Sequence, residues 1–315
     1  MANYTVRTAT LDDTQAIGAV ARARVGVWQR MDDAGQVQDI AYDTLTVYER
    51  WLHGGPWMSV ETGALQLGRL LLGAGIPLVA TDDGERVVGY AEVYSGREPA
   101  PYGQHLHIGA LYTLPDDTDA RDALVTAILQ HGARMQAERV TANLAANDTA
   151  TQTFYARHGL RQTDEIQRMT LTAKQGQVFY KAINHLSADP AHIDGWFMHV
   201  GRLGSARYQW ETLWPPTWNT IPEVRERKTH RLSFTAAGND AFVFIRQQLY
   251  MPRFADVFAW TPKPPTGQLI TAIRDWAHRE GYRKLVFPVV TSGVKTLGLD
   301  AEPDGYREVV LAVDL

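Results

Sequence analysis

Two pentads, Leu124-Val125-Thr126-Ala127-Ile128 and Leu269-Ile270-Thr271-Ala272-Ile273, lie 145 residues apart in a chain of 315. Each follows a strand-like run and a proline (Pro115, Pro262), and each precedes a strand start twelve residues after its isoleucine (Val140, Leu285). A five-residue match, identical at four positions with Val125 against Ile270, is alone a weak signal. The agreement of the flanking elements and their spacing makes the match an internal repeat. A chain about twice the usual domain length is then expected to fold as two related domains. The second copy is shorter: Val286 to Gly298 has six residues fewer than Thr141 to Gly159.

The first copy reads as a mixed α/β pattern. Tyr4 to Ala9 alternates as a half-buried strand does, and Leu11-Asp12-Asp13-Thr14 starts a helix bearing Ile17, Val20, Ala21 and Val25. Helices are expected over Tyr42 to Leu52 and around Leu65 to Leu71, ending at Gly73. Strands Pro77 to Thr81 and Arg86 to Tyr94 flank Asp82-Asp83-Gly84-Glu85, a hairpin signal. Next come a strand over His105 to Leu114, a helix from Asp119 to Ala137, a strand over Val140 to Leu144, a helix from Asp148 to His158 closed by Gly159, and a strand over Ile166 to Leu171. Polar Thr172 to Gln177 places the domain boundary, giving domains 1–174 and 178–315. Six of nine tryptophans lie in the second domain; Trp210 and Trp214 are at helical spacing, a core pattern, with an aromatic pocket or inter-domain face as the alternative.

Composition removes several functions. A net charge of −4 with no basic run lacks the field for sequence-independent nucleic-acid binding. Without cysteine there is no disulfide framework, thiolate nucleophile or Cys-ligated metal, and ten scattered histidines show no metal-like spacing. The N-terminal residues lack the basic and apolar blocks of a leader, and Leu70 to Ala80 is too short and too broken to span a bilayer, so no membrane role and a cytoplasmic location are expected.

Ile108-Gly109-Ala110-Leu111-Tyr112-Thr113-Leu114-Pro115, and after a helix and a strand Asn147 to Leu160 with its Asn…Ala…Phe-Tyr…Gly-Leu pattern, resemble the GCN5-related N-acetyltransferase (GNAT) family. The resemblance covers most of residues 1–174. It implies two acyl-CoA N-acyltransferase-like domains in tandem, each a mixed sheet splayed between its fourth and fifth strands, with acetyl-CoA as co-substrate in the splay. It also implies that Tyr155 faces the CoA sulfur as the acid and that Asn147 contacts the pantetheine arm. The backbone of Leu111, Tyr112 and Thr113 is expected to pair with the pantetheine amides.

Acyl transfer to an amine needs a proton acceptor and an acid for the leaving thiolate. His105 and His107, two apart on a strand, share one face and titrate near neutral pH, so they are the candidate bases. A surface pair or hydrogen-bonded core histidines would be the ordinary account. Their setting also resembles the histidine-bearing strand of arylalkylamine N-acetyltransferases. Glu92 is the substitute base; an exposed strand carboxylate would be its simpler account. For Tyr155 the simpler account is packing of the helix on the sheet.

The phosphate loop departs from the family's glycine-rich pattern. Asp116-Asp117-Thr118-Asp119-Ala120-Arg121-Asp122-Ala123 holds no glycine, although Ala120 and Ala123 are small and Arg121 is cationic. The aspartates suit helix capping. One such charge about 5 Å from a phosphate, at an effective dielectric of about 20, costs roughly 3 kcal/mol, against about 8 kcal/mol for micromolar binding. In the second copy Lys263-Pro264-Pro265-Thr266-Gly267-Gln268 has a lysine and no acid there, but Val294 to Leu299 lacks the tyrosine, so that domain is degenerate. The reading is an acetyl-CoA-dependent N-acetyltransferase acting on a small-molecule primary amine in its first domain. The alternative is a non-catalytic binding or interaction protein on the same fold; the sequence leaves the oligomeric state open.

Overall fold

The computed structural model describes residues 3–32 and 34–315; Met1, Ala2 and Asp33, and with them the first residues read above for a leader, lie outside the described residues. In chain order the elements are β1 (Thr5–Thr8), α1 (Thr14–Arg22), β2 (Gln29–Met31), β3 (Val37–Asp39), α2 (Val47–Leu52), α3 (Val60–Arg69), β4 (Ile76–Thr81), β5 (Val87–Glu98), β6 (Gly103–Thr113), α4 (Asp119–Arg134), β7 (Arg139–Ala145), α5 (Thr149–Arg157) and β8 (Arg161–Thr172). The second half continues with β9 (Tyr180–Asn184), β10 (Phe197–Val200), α6 (Ala206–Leu213), α7 (Pro222–Glu226), β11 (Thr229–Ala236), β12 (Asn239–Gln247), β13 (Phe254–Thr261), α8 (Gly267–Arg279), β14 (Lys284–Val290), α9 (Val294–Leu297) and β15 (Glu302–Asp314). The run β5-β6-α4-β7-α5-β8 recurs as β12-β13-α8-β14-α9-β15. The tandem repeat is therefore one of structure as well as sequence, and α9, four residues long against nine in α5, accounts for most of the six-residue deficit.

Local chemistry sets the elements. The β4–β5 hairpin forms where Asp82 accepts the Gly84 and Arg86 amides at 3.0 Å, while Glu85 takes φ +59°. The helix expected over Tyr42 to Leu52 is a correction: Tyr42–Thr44 is a single 3-10 turn and α2 begins only at Val47. The cause is a capping box, with Thr46 accepting the Glu49 amide at 3.1 Å and Glu49 accepting the Thr46 amide at 2.7 Å, which starts a new helix.

The described chain forms two compact units. The first comprises the chain up to Tyr94, Ile108–Met135 and Thr217–Arg225; the second comprises Ser95–His107, Gln136–Pro216 and Glu226–Leu315. In the first, β1, β4 and β5 run antiparallel, Val6 opposite Ala80 and Leu78 opposite Ala91. Helix α1 packs on α3, and α4 lies against β4 and β1. Ile17, Leu67, Val79, Val88, Leu124 and Ile128 are fully buried. A Cβ on Gly89 would stand 3.0 Å from Leu124 Cδ1, so a side chain there would push the α4 leucine back by a few tenths of an ångström.

In the second unit the strand order is β7-β15-β8-β14-β10-β13-β12-β11-β9. Neighbours are antiparallel, and β13 also pairs with β14 in parallel. The closing strands are exchanged between repeats: β15 from the C-terminus pairs with β7 (Val310 opposite Asn143) and with β8, while β8 pairs with β14 (Leu171 opposite Leu285). The repeats are thus units of sequence, and the compact units cut across them. Leu269, Ile270 and Ile273 of α8 pack into one core with Leu171, Phe234, Val257 and Phe287. Trp210 and Trp214 stack at 4.2 Å and 6° inside a second core with Trp260 and Phe242, which settles the helical-spacing pattern as packing.

Candidate active site

Tyr90, Glu92 and Tyr94 alternate along β5 and so share a face. In the first unit Glu92 is 5% exposed, not the exposed carboxylate that its strand position suggested. Its Oε1 accepts Trp57 Nε1–H at 2.5 Å and the Tyr90 hydroxyl at 3.1 Å. Its Oε2 accepts the Tyr94 hydroxyl at 2.7 Å and Gln66 Nε2–H at 3.0 Å. Burial, then the Glu92 charge, drives the Tyr90 hydroxyl well above the usual tyrosine range. Four donors converging on one buried carboxylate tie the Gly55–Met58 turn and α3 to β5.

The histidine pair lies in the second unit and is buried, His105 at 0% and His107 at 2% exposure, so the surface-pair account does not hold. His105 Nδ1 is 3.0 Å from the Gly103 carbonyl, which can only accept, so Nδ1 carries the hydrogen and Nε2 the lone pair. That Nε2 makes no hydrogen bond and stands 3.5 Å from Glu98 Oε1. Glu98, 2% exposed at its side chain, accepts Arg202 Nη1–H at 2.5 Å and the Ala206 amide at 2.9 Å. The Arg202 guanidinium also lies 3.7 Å from the centre of the Tyr102 ring. Burial would raise the Glu98 pKa, but the charges of Arg202 and His105 and the bonds from Arg202 and Ala206 hold it below the usual carboxylate range. His105 is lowered by burial, with partial opposition from Glu98. His107, whose Nδ1 is 3.1 Å from Thr141 Oγ1, is lowered much further by burial and then by the charges of His105 and Arg202. Both imidazoles are therefore neutral near pH 7.

Tyr155, also in the second unit, is 5% exposed on α5, its ring edge-on to Phe154 at 5.2 Å. Asn147 is exposed in the turn before α5, but the helix cap is its neighbour Asp148, whose side chain accepts the Thr151 amide at 3.0 Å. In the first unit Leu111, Tyr112 and Thr113 are half-buried at the end of β6, with Arg24 4.4 Å over the Tyr112 ring. At the α4 turn the cap residue is Thr118, not an aspartate, and its side chain makes no capping hydrogen bond, while Asp119 and Asp122 lie in the first turn. Asp117 instead accepts from Tyr4 at 3.3 Å and Arg86 at 3.4 Å, while Asp116 and Asp119 are exposed. Ala120 is buried, and Arg121 and Ala123 are half-buried. The Ala120 and Arg121 amides bond back to the carbonyls of Asp117 and Thr118.

Residues 38–160, from before α2 through α5 to Leu160, match the sequence model of the GNAT acetyltransferase family. That segment is similar to the GNAT acetyltransferases. No curated protein sequence matches the chain. In fold, the chain is similar to a GCN5-related N-acetyltransferase from Anabaena variabilis, with 12% identity and a TM-score of 0.64 over 98% of this chain and 72% of that one. It is similar at 12% identity and TM-score 0.59 to a GCN5-related N-acetyltransferase from Kribbella flavida, over 99% of this chain and 71% of that one. A probable N-acyltransferase from Enterococcus faecalis aligns at 12% identity and TM-score 0.56, over 99% and 72% of the two chains.

The GNAT family's acyl donor is acetyl-CoA. Leu111, Tyr112 and Thr113, where the resemblance would place a pantetheine partner, are half-buried. The α4 turn suits a pyrophosphate less well, because Asp116 and Asp119 face solvent there and two of its amides are already bonded within the turn. The Glu98–Arg202 pair, joining two segments 104 residues apart, had no signal in the sequence. The Glu92 cage did have one, in the period-two spacing of Tyr90, Glu92 and Tyr94.

Proposed function

We propose that the chain transfers an acetyl group from acetyl-CoA to a small primary amine, with the chemistry in its first repeat. The observation that carries this is the family match over residues 38–160, which takes in the β6 end, α4, β7 and the α5 segment bearing Asn147 and Tyr155. On this reading Leu111–Thr113, Ala120, Arg121, Ala123 and Asn147 hold the donor, which supplies a thioester-activated acetyl group. His105 is the base: its Nε2 lone pair takes the amine proton, directly or through water, and the imidazolium so formed has Glu98 beside it as counter-charge. His107, deeper and bonded to Thr141, supports the neighbouring ring. Tyr155 holds the proton that the departing sulfur needs, and recovers one from solvent. Glu92 serves as an anchor, since each of its oxygens already accepts two hydrogen bonds.

The acid-rich α4 turn favours a second reading, a GNAT fold that binds an amine without using acetyl-CoA. Thiol release from acetyl-CoA by the full-length chain, measured against a panel of primary amines, separates the two. Amine-dependent release supports the enzyme; none with any amine at millimolar concentrations supports the binding protein. The full chain is required because β15, from the C-terminus, lies between β7 and β8.

A further inference from the structure

The second unit holds a cavity of about 450 Å³ at the end of β5. Its wall includes Gly96 and Arg97 of β5, Gln104 of β6, Asp189 and Asp194 on either side of the Pro190–Ile193 turn, and Arg207 in the first turn of α6. Gly96 is the lining residue that stands next to His105. A Cβ there would lie 3.2 Å from His105 Nε2 and 3.4 Å from Arg207 Cβ. A glycine lining the cavity thus borders a fully buried imidazole nitrogen that has no hydrogen-bond partner among the described residues.

We infer that this cavity is the acceptor site and that it takes a zwitterionic amine of amino-acid to short-peptide size. The inference rests on the acetyl-transfer reading above. Both signs of charge are presented to the cavity. Arg97 grips Asp194 through Nε at 3.3 Å and Nη2 at 2.6 Å, Asp189 accepts the Ala191 amide at 2.9 Å through one oxygen, and Arg207 donates from Nε to Glu211 at 2.9 Å. A ligand carrying an ammonium and a carboxylate can replace the water that solvates both kinds of group. No aromatic ring is among the lining residues, so an arylalkylamine would find no stacking partner and would strip water from charges it cannot pair. A polyamine would satisfy the two aspartates but face Arg97 and Arg207. The volume accommodates an amino acid with room for an extended side chain.

Calorimetry on the full-length chain without acetyl-CoA tests this, with lysine, spermidine and 2-phenylethylamine as probes. Lysine should bind saturably and at least about tenfold more tightly than the other two. Gly96→Val, which adds bulk at a lining position against His105 and Arg207, should abolish lysine binding. Arg97→Glu, a change at a side chain that is 64% exposed, should weaken lysine about tenfold and tighten spermidine. No saturable lysine binding, a preference for either other probe, or lysine binding unchanged in both variants overturns the proposal. Lysine binding without any acetyl transfer would sink the enzymatic reading and leave the cavity's ligand class standing. Transfer to lysine at the parent rate by Gly96→Val would do the reverse.

Discussion

Replacing Glu92 with leucine separates anchoring from catalysis. Leucine approximates the volume but accepts nothing, so the Trp57 and Gln66 N–H groups and the Tyr90 and Tyr94 hydroxyls all lose their carboxylate acceptor inside the first unit. Each orphaned buried donor costs about 1–3 kcal/mol. Part of that is offset, because the substitution also removes a carboxylate whose desolvation costs several kcal/mol. The net expectation is a loss of about 3–5 kcal/mol, or roughly 10 °C in melting temperature. Urea unfolding followed by tryptophan fluorescence reads it, with Glu92→Gln falling between parent and leucine because one acceptor oxygen survives. Below the melting temperature, acetyl transfer per folded molecule should stay within about threefold of the parent. A leucine variant within 1 kcal/mol of the parent would refute the anchoring argument. A folded variant slowed by about 100-fold would instead make Glu92 part of the chemistry.

The histidine pair sets a pH dependence. His105 and His107 have folded pKa values below the unfolded value, so the stability they contribute is fully present above about pH 6.5 and is lost as pH falls through their lower folded values. The urea midpoint should drop between pH 7.5 and 5.5, and His107→Asn should reduce the drop; an undiminished drop would contradict the assignment. Tyr155→Phe should lower kcat about 10- to 1,000-fold with little change in acetyl-CoA affinity, and an unchanged kcat would leave Tyr155 as packing. Ending the chain at Asp300 removes β15 from between β7 and β8, and the product should lose cooperative unfolding in the second unit. A cooperative melt at the parent temperature would show the exchanged strand to be dispensable.

Much of the fold could be read from local chemistry. The Asp82–Glu85 turn, the closure of α5 at Gly159 with φ +86°, and the apolar spacing on α4 and α8 all act over a few residues and surface in sequence as turn chemistry or periodicity. Where two local signals competed, as at Thr46, the capping box ended an otherwise continuous helical pattern. The strand exchange left no such mark, because neither the spaced apolar residues of β8 nor the continuous apolar run Val309–Ala312 of β15 names its neighbour, and the exchanged pairings join residues more than 100 apart. The candidate site divides in the same way. The types and spacing of Tyr90, Glu92, Tyr94, His105 and His107 were evident, but Trp57 and Gln66, which donate to Glu92, and Arg202, which pairs with Glu98 beside His105, come from distant segments.

The central claim is that an acid-rich α4 turn still leaves a chain that uses acetyl-CoA. Calorimetric titration of acetyl-CoA into the full-length parent and into Asp116→Asn/Asp119→Asn measures it directly. Saturable binding by the parent, tightened about three- to tenfold when the two exposed charges are removed and less so in high salt, is the predicted result. Absence of binding heat at millimolar acetyl-CoA in both proteins would contradict the account and leave an amine-binding GNAT fold without its acyl donor.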